Sequence, residues 1–134
     1  MASIKGILFD KDGTLVDFNA TWSGVADFMA LEAAEGDRAQ ADRLLAAAGL
    51  DPKTRRFKAD SVFAAGTNLD VIELWLPHLS RAEQTAAVTR FNIITTEQGA
   101  AMAVPLPGII DALAALHAKP YRLGVATNDS TLGC

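Results

Sequence analysis

Asp10 and Asp12 stand two residues apart, in the string Asp10-Lys11-Asp12-Gly13-Thr14. On an extended segment that spacing turns both side chains to one side. Two carboxylates so placed suit a hard cation such as Mg²⁺, which takes oxygen ligands and keeps several waters. The cation would also offset their repulsion of an incoming phosphate. One carboxylate can then serve as a nucleophile and the other as a general acid and base. Gly13 lets backbone N–H groups approach a phosphate, and Thr14 offers a hydroxyl or steadies the loop. The same string also reads as an acidic turn, because Asp and Gly favour turns for local reasons. The apolar residues before it and Thr14-Leu15-Val16-Asp17 after it favour chemistry.

These residues need a rigid support. Ile4 to Phe9 is apolar and β-prone, and Ile7, Leu8 and Phe9 read as the continuous apolar run of a buried parallel strand. Residues 10–20 read as a loop. A second strand, Tyr121 to Ala126, ends at Thr127-Asn128-Asp129-Ser130. In parallel α/β sheets ligands bind beyond the carboxyl ends of strands. The two strands therefore deliver both polar clusters to one crevice.

Between the strands the pattern is helical. Trp22, Val25, Ala26, Met29 and Ala33 recur at helical spacing from about Thr21, and Gly36 marks a stop. A second helix runs from Arg38 to Ala48 with Gly49 as its C-terminal cap. Residues 50–66 are irregular. Thr67 caps a helix that Pro77 ends, and Ser80 with Glu83 has capping-box spacing for a long helix to about Gln98. Pro105 to Gly108 is a turn, followed by a short helix over Ile109 to Ala118. The segment from the first loop to Pro105 is too long for a simple crossover. It reads as a helical unit inserted after the first strand.

Ile7-Leu8-Phe9-Asp10-Lys11-Asp12-Gly13-Thr14-Leu15 resembles the first motif of the haloacid dehalogenase superfamily. Leu123-Gly124-Val125-Ala126-Thr127-Asn128 resembles its second, an apolar strand ending in Thr or Ser. The position of the insert and the Pro107-Gly108 turn resemble the phosphoglycolate phosphatase-like branch. The resemblance implies an α/β fold: a partial Rossmann-like core over residues 1–17 and 101–134, with an α-helical cap inserted over 18–100. It implies a phosphomonoester hydrolase that uses Mg²⁺ and an aspartyl-phosphate, with 2-phosphoglycolate as a substrate. Asp10 would attack phosphorus. Asp12 would protonate the leaving oxygen and then activate water. Mg²⁺ would touch the Asp10 carboxylate and the Asp12 backbone carbonyl. Gly13, Thr127 and the Asn128 N–H would bind the phosphoryl group. Asp12 favours ester chemistry, because the family's dehalogenases lack an aspartate there.

The family also uses a third-motif lysine and a fourth, acidic motif, both many residues past the second. The chain ends at Cys134, so an incomplete form is expected. Lys119 precedes the second strand, at its wrong end. Lys11 is expected to point away from both aspartates. Two other functions share these residues. A phosphomutase would yield a rearranged sugar phosphate instead of free phosphate. A non-catalytic binding or oligomerising module would turn over nothing, and open sheet edges allow self-association.

Half of the 134 residues are hydrophobic, enough for a packed core. The net charge of −4 and the lack of a basic patch argue against nucleic acid. No apolar run of about 18 residues is present, so no membrane span is expected. The single cysteine, Cys134, fits a reducing cytoplasm. A small phosphorylated metabolite is the expected partner. Arg55, Arg56 and Lys58 read as a solvated basic face, and their functional alternative is to meet an anionic substrate tail. His78 and His117 read as surface or capping residues. Trp22 and Trp75 read as apolar anchors, and Asp129 and Ser130 as caps of a following helix.

Overall fold

The computed structural model describes residues 3–127 and 129. Its element order is β1 (Gly6–Asp10), α1 (Phe18–Ala33), α2 (Arg38–Ala47), α3 (Val62–Ala65), α4 (Asn68–Trp75), α5 (Arg81–Met102), α6 (Ile109–His117) and β2 (Arg122–Ala126). β1 and β2 pair in parallel, with Ile7 opposite Leu123 and Asp10 opposite Ala126. This is the expected order of strand, helical segment, helix and strand.

The strands are not buried on both faces, as their apolar run had implied. Leu8 is 70% exposed and Val125 45% exposed. Among the described residues the sheet has these two strands. α6 meets one side of the pair across a groove lined by Phe9, Leu113, Leu123 and Val125. Leu8, one residue from Phe9, points to the opposite side.

The core lies instead among α1, α2, α4 and α5. Val25, Met29 and Ile72 are fully buried there, and Ile94 nearly so. α1 packs on α2 and α5, and α4 packs on α5. An aromatic chain runs through this body: Phe18, Phe57, Phe63, Trp75 and Phe91, with successive ring centroids 5.1–6.1 Å apart. Trp75 is buried, and its indole N–H donates to the Leu44 carbonyl at 2.8 Å. Burying that N–H without a partner would be costly.

Local chemistry sets the helix ends. α1 starts at Phe18, earlier than the apolar spacing implied, because the Asp17 carboxylate accepts the Ala20 N–H at 2.9 Å. α2 ends in a Schellman motif: Leu50 N donates to Leu45 O and Gly49 N to Ala46 O, with Gly49 at φ +93°. Thr67 with Asp70, and Ser80 with Glu83, form complete capping boxes. α5 continues to Met102, past Gln98, since the next three residues are Gly and two alanines and no stop occurs before Pro105. The irregular stretch before α4 holds the single turn of α3 and a bridge between Leu50 and Phe57.

Two crossings join the helical body to the strand pair, and they run side by side. Asp17 N donates to Val104 O at 2.7 Å, and Leu106 N donates to Leu15 O at 3.0 Å. The buried Thr21 hydroxyl accepts the Val104 N–H at 3.1 Å. No described helix is long and apolar enough to cross a membrane.

Candidate active site

The chain leaves β1 at Asp10 and curls at once. The Lys11 carbonyl accepts the N–H groups of Thr14, Leu15 and Val16 at 3.2, 2.8 and 3.2 Å. Gly13 adopts φ +80°, and its N–H donates to Val16 O at 2.8 Å. A left-handed backbone at that point suits Gly. Its N–H is already engaged within the loop, as is that of Thr14.

The curl decides where the side chains go. Asp10 and Asp12 both line a cleft of about 780 Å³ between the strand ends and the helical body. The indole N–H of Trp22, from the second turn of α1, donates to Asp12 Oδ1 at 2.8 Å. Trp22 therefore does more than anchor apolar packing. Its ring lies beside α5, where a Cβ on Gly99 would sit 3.5 Å from it.

Lys11 does not point away from the aspartates, as strand alternation had implied. Its Nζ lies 3.5 Å from Asp12 Oδ2 and donates to Asp129 Oδ2 at 2.7 Å. Alternation holds only while the backbone is extended, and here it has already turned. The same ammonium stands 5.7 Å from the Trp22 ring centroid. Burial acts to lower the Lys11 pKa. The hydrogen bond to Asp129 and the charges of Asp12 and Asp129 outweigh it and raise the pKa above its ordinary value.

The sequence pattern points to a capping role for Asp129, and the structure gives it another. Its carboxylate takes Lys11 and lines the cleft with Asp10 and Asp12. The register explains this: Asp10 pairs with Ala126, so the residues after each strand meet. The sequence signal was present in Asp129 itself, an acidic residue soon after the second strand. Thr127 follows β2, and its hydroxyl accepts the Asp129 N–H at 3.2 Å. Asn128 lies outside the described residues. Of the basic run, Arg55 approaches Asp27 at 3.6 Å, and none of the three residues is among those lining the cleft.

A model of the haloacid dehalogenase-like hydrolase family matches residues 4–132. The chain belongs to the haloacid dehalogenase-like hydrolase family. Searches of curated proteins and of solved structures returned no match to it.

Haloacid dehalogenase-like hydrolases generally use Mg²⁺. Among the described residues no three His, Cys, Asp or Glu side chains converge as a metal cage. Mg²⁺ is commonly held by one or two carboxylates plus substrate phosphate and water, without an all-protein cage. The Asp10 carboxylate, exposed at the cleft, and the backbone carbonyl of Asp12 are oxygen donors of that kind. The Asp12 carboxylate is held by Trp22 and lies near Lys11.

Proposed function

We propose that this haloacid dehalogenase-like hydrolase is a Mg²⁺-dependent phosphomonoesterase working through an aspartyl-phosphate. The supporting observation is the joint placement of Asp10 and Asp12 at the strand-end wall of one cleft, with Asp12 held by Trp22. In this reading residues 18–100 act as a cap over a core formed by 1–17 and 101–134.

An Asp10 carboxylate oxygen attacks phosphorus, and the bond from phosphorus to the ester oxygen breaks. Asp12, protonated at that moment, gives its proton to the departing alkoxide, which leaves as the alcohol. Water then attacks phosphorus, Asp12 takes its proton, and orthophosphate is released as Asp10 is regenerated. Thr127, which follows β2, and Asn128, next to it in the sequence, hold the phosphoryl oxygens, and Gly13 shapes the loop after β1. Mg²⁺ would be held by the Asp10 carboxylate and the Asp12 carbonyl, and when bound it would supply charge neutralisation for the phosphate. The substrate class is a small phosphorylated metabolite, and 2-phosphoglycolate is the member implied by the resemblance.

The test is phosphate release from p-nitrophenyl phosphate with and without Mg²⁺. Asp10→Asn should lower the rate about a thousandfold or more, because the nucleophile is lost. A fully active Asp10→Asn protein overturns the reading.

A further inference from the structure

The cleft wall opposite the carboxylates has its own chemistry. Asn68 on α4 and Asn92 on α5 meet there: Asn68 Nδ2 donates to Asn92 Oδ1 at 2.8 Å and to Thr95 Oγ1 at 3.3 Å. The Thr95 hydroxyl donates in turn to the backbone carbonyl of Asn92 at 3.1 Å, which holds the hydroxyl in place as an acceptor for Asn68. These bonds fix the two amides. They leave Asn92 Nδ2 as a donor and Asn68 Oδ1 as an acceptor with no partner among the described residues. A neutral donor and a neutral acceptor side by side match hydroxyl groups, each of which both donates and accepts. Phe18, Trp22, Phe63 and Val71 line the rest with apolar surface.

Charge points the same way. None of the described residues lining the cleft is Lys, Arg or His. The nearby ammonium, Lys11, is already bound to Asp129. A second anionic group on the substrate would be desolvated against amides and rings, with no cation among the described lining residues to receive it. Size agrees. A cleft of about 780 Å³ lies in the range that takes a drug-sized ligand, and a two-carbon acid would leave most of it to water.

We infer that the alcohol part of the substrate is neutral and polyhydroxylated, a sugar or polyol phosphate, with hydroxyls held by Asn68, Asn92 and Thr95. This rests on the reading of the strand-end loop as the phosphate site, and it narrows that reading away from phosphorylated acids.

The experiment is NMR titration of the isotope-labelled chain with Mg²⁺ present. The ligands are orthophosphate, 2-phosphoglycolate, and a panel of glucose 6-phosphate, ribose 5-phosphate and glycerol 3-phosphate. At least one panel member should move the side-chain amide signals of Asn68 and Asn92 and bind about tenfold or more tighter than 2-phosphoglycolate. Asn92→Leu should erase that preference. Thr95→Val, close to isosteric, should weaken it and guards against a folding defect at Asn92. Orthophosphate should move the Asp10–Thr14 signals and leave those amides in place. The inference is overturned if 2-phosphoglycolate binds as tightly as every panel member, if no panel member moves the amides, or if both variants keep the preference. Silence of the Asp10–Thr14 signals towards every ligand would instead sink the phosphate-site reading beneath it.

Discussion

The Trp22 indole N–H donates to Asp12 Oδ1 at 2.8 Å and so ties α1 to the loop after β1. A carboxylate that must hold and release a proton gains from a fixed orientation. Trp22→Phe keeps the ring and removes the donor. A hydrogen bond to a charged group contributes about 1.5–3 kcal/mol, so kcat on p-nitrophenyl phosphate should fall about tenfold or more. An unchanged kcat would show that Asp12 is oriented without the indole.

The Lys11 ammonium pairs with two carboxylates, 3.5 Å from Asp12 Oδ2 and 2.7 Å from Asp129 Oδ2. Its side chain is only 14% exposed, as is that of Asp129. Lys11→Met should lower stability by about 1–3 kcal/mol in urea unfolding near neutral pH. The raised Lys11 pKa sets the pH dependence. Its contribution is complete below the ordinary lysine value and fades as pH rises through the higher folded value. The gap between parent and variant should therefore narrow only in strongly alkaline solution.

Gly49 and Gly36 separate backbone strain from steric collision. Both have positive φ, +93° and +85°. A Cβ on Gly49 would lie 2.5 Å from the Ser61 Cβ, whereas one on Gly36 meets nothing within 4 Å. Gly36→Ala should cost about 1 kcal/mol, the left-handed penalty alone. Gly49→Ala should cost about 2–4 kcal/mol, since overpacking adds to it. Equal unfolding midpoints for the two variants would contradict this.

Acid should weaken the ends of α4 and α5. The Thr67 hydroxyl and N–H hold the Asp70 pKa below its usual value, and the Ser80 N–H and hydroxyl do the same for Glu83. A depressed folded pKa gives stability that is present above the unfolded value and lost as pH falls through the folded one. Thermal midpoints should drop as pH falls below the ordinary carboxylate range. Asp70→Asn with Glu83→Gln should flatten that drop and lower the midpoint at neutral pH.

Elements specified by neighbouring residues were legible in the chain. Thr67 and Ser80 start helices because their partners, Asp70 and Glu83, lie three residues on. Gly49 ends α2 because only a few residues separate the groups of its cap. The strand–loop string around Asp10 was legible for the same reason. Burial was less so. The apolar run of β1 implied cover on both faces, and cover depends on what packs there, which the run itself does not encode.

The sequence alone determined the order of strand, helical segment, helix and strand, the caps at Gly49, Thr67 and Ser80, and the presence of two carboxylates at a strand end, while the single turn of α3 and the Asp17 cap of α1 emerged only in the structure. Tertiary structure decided how those carboxylates are held and what faces them. The direction of Lys11 follows from a turn closed by three amides on one carbonyl. The meeting of Lys11 with Asp129 spans 118 positions and depends on the parallel register of β1 and β2. The polar wall depends on α4 packing on α5, which brings Asn68 to Asn92 across 24 positions. Local hydrogen bonds are encoded within a few residues. These contacts arise only when distant segments pack, and no short stretch of sequence carries them.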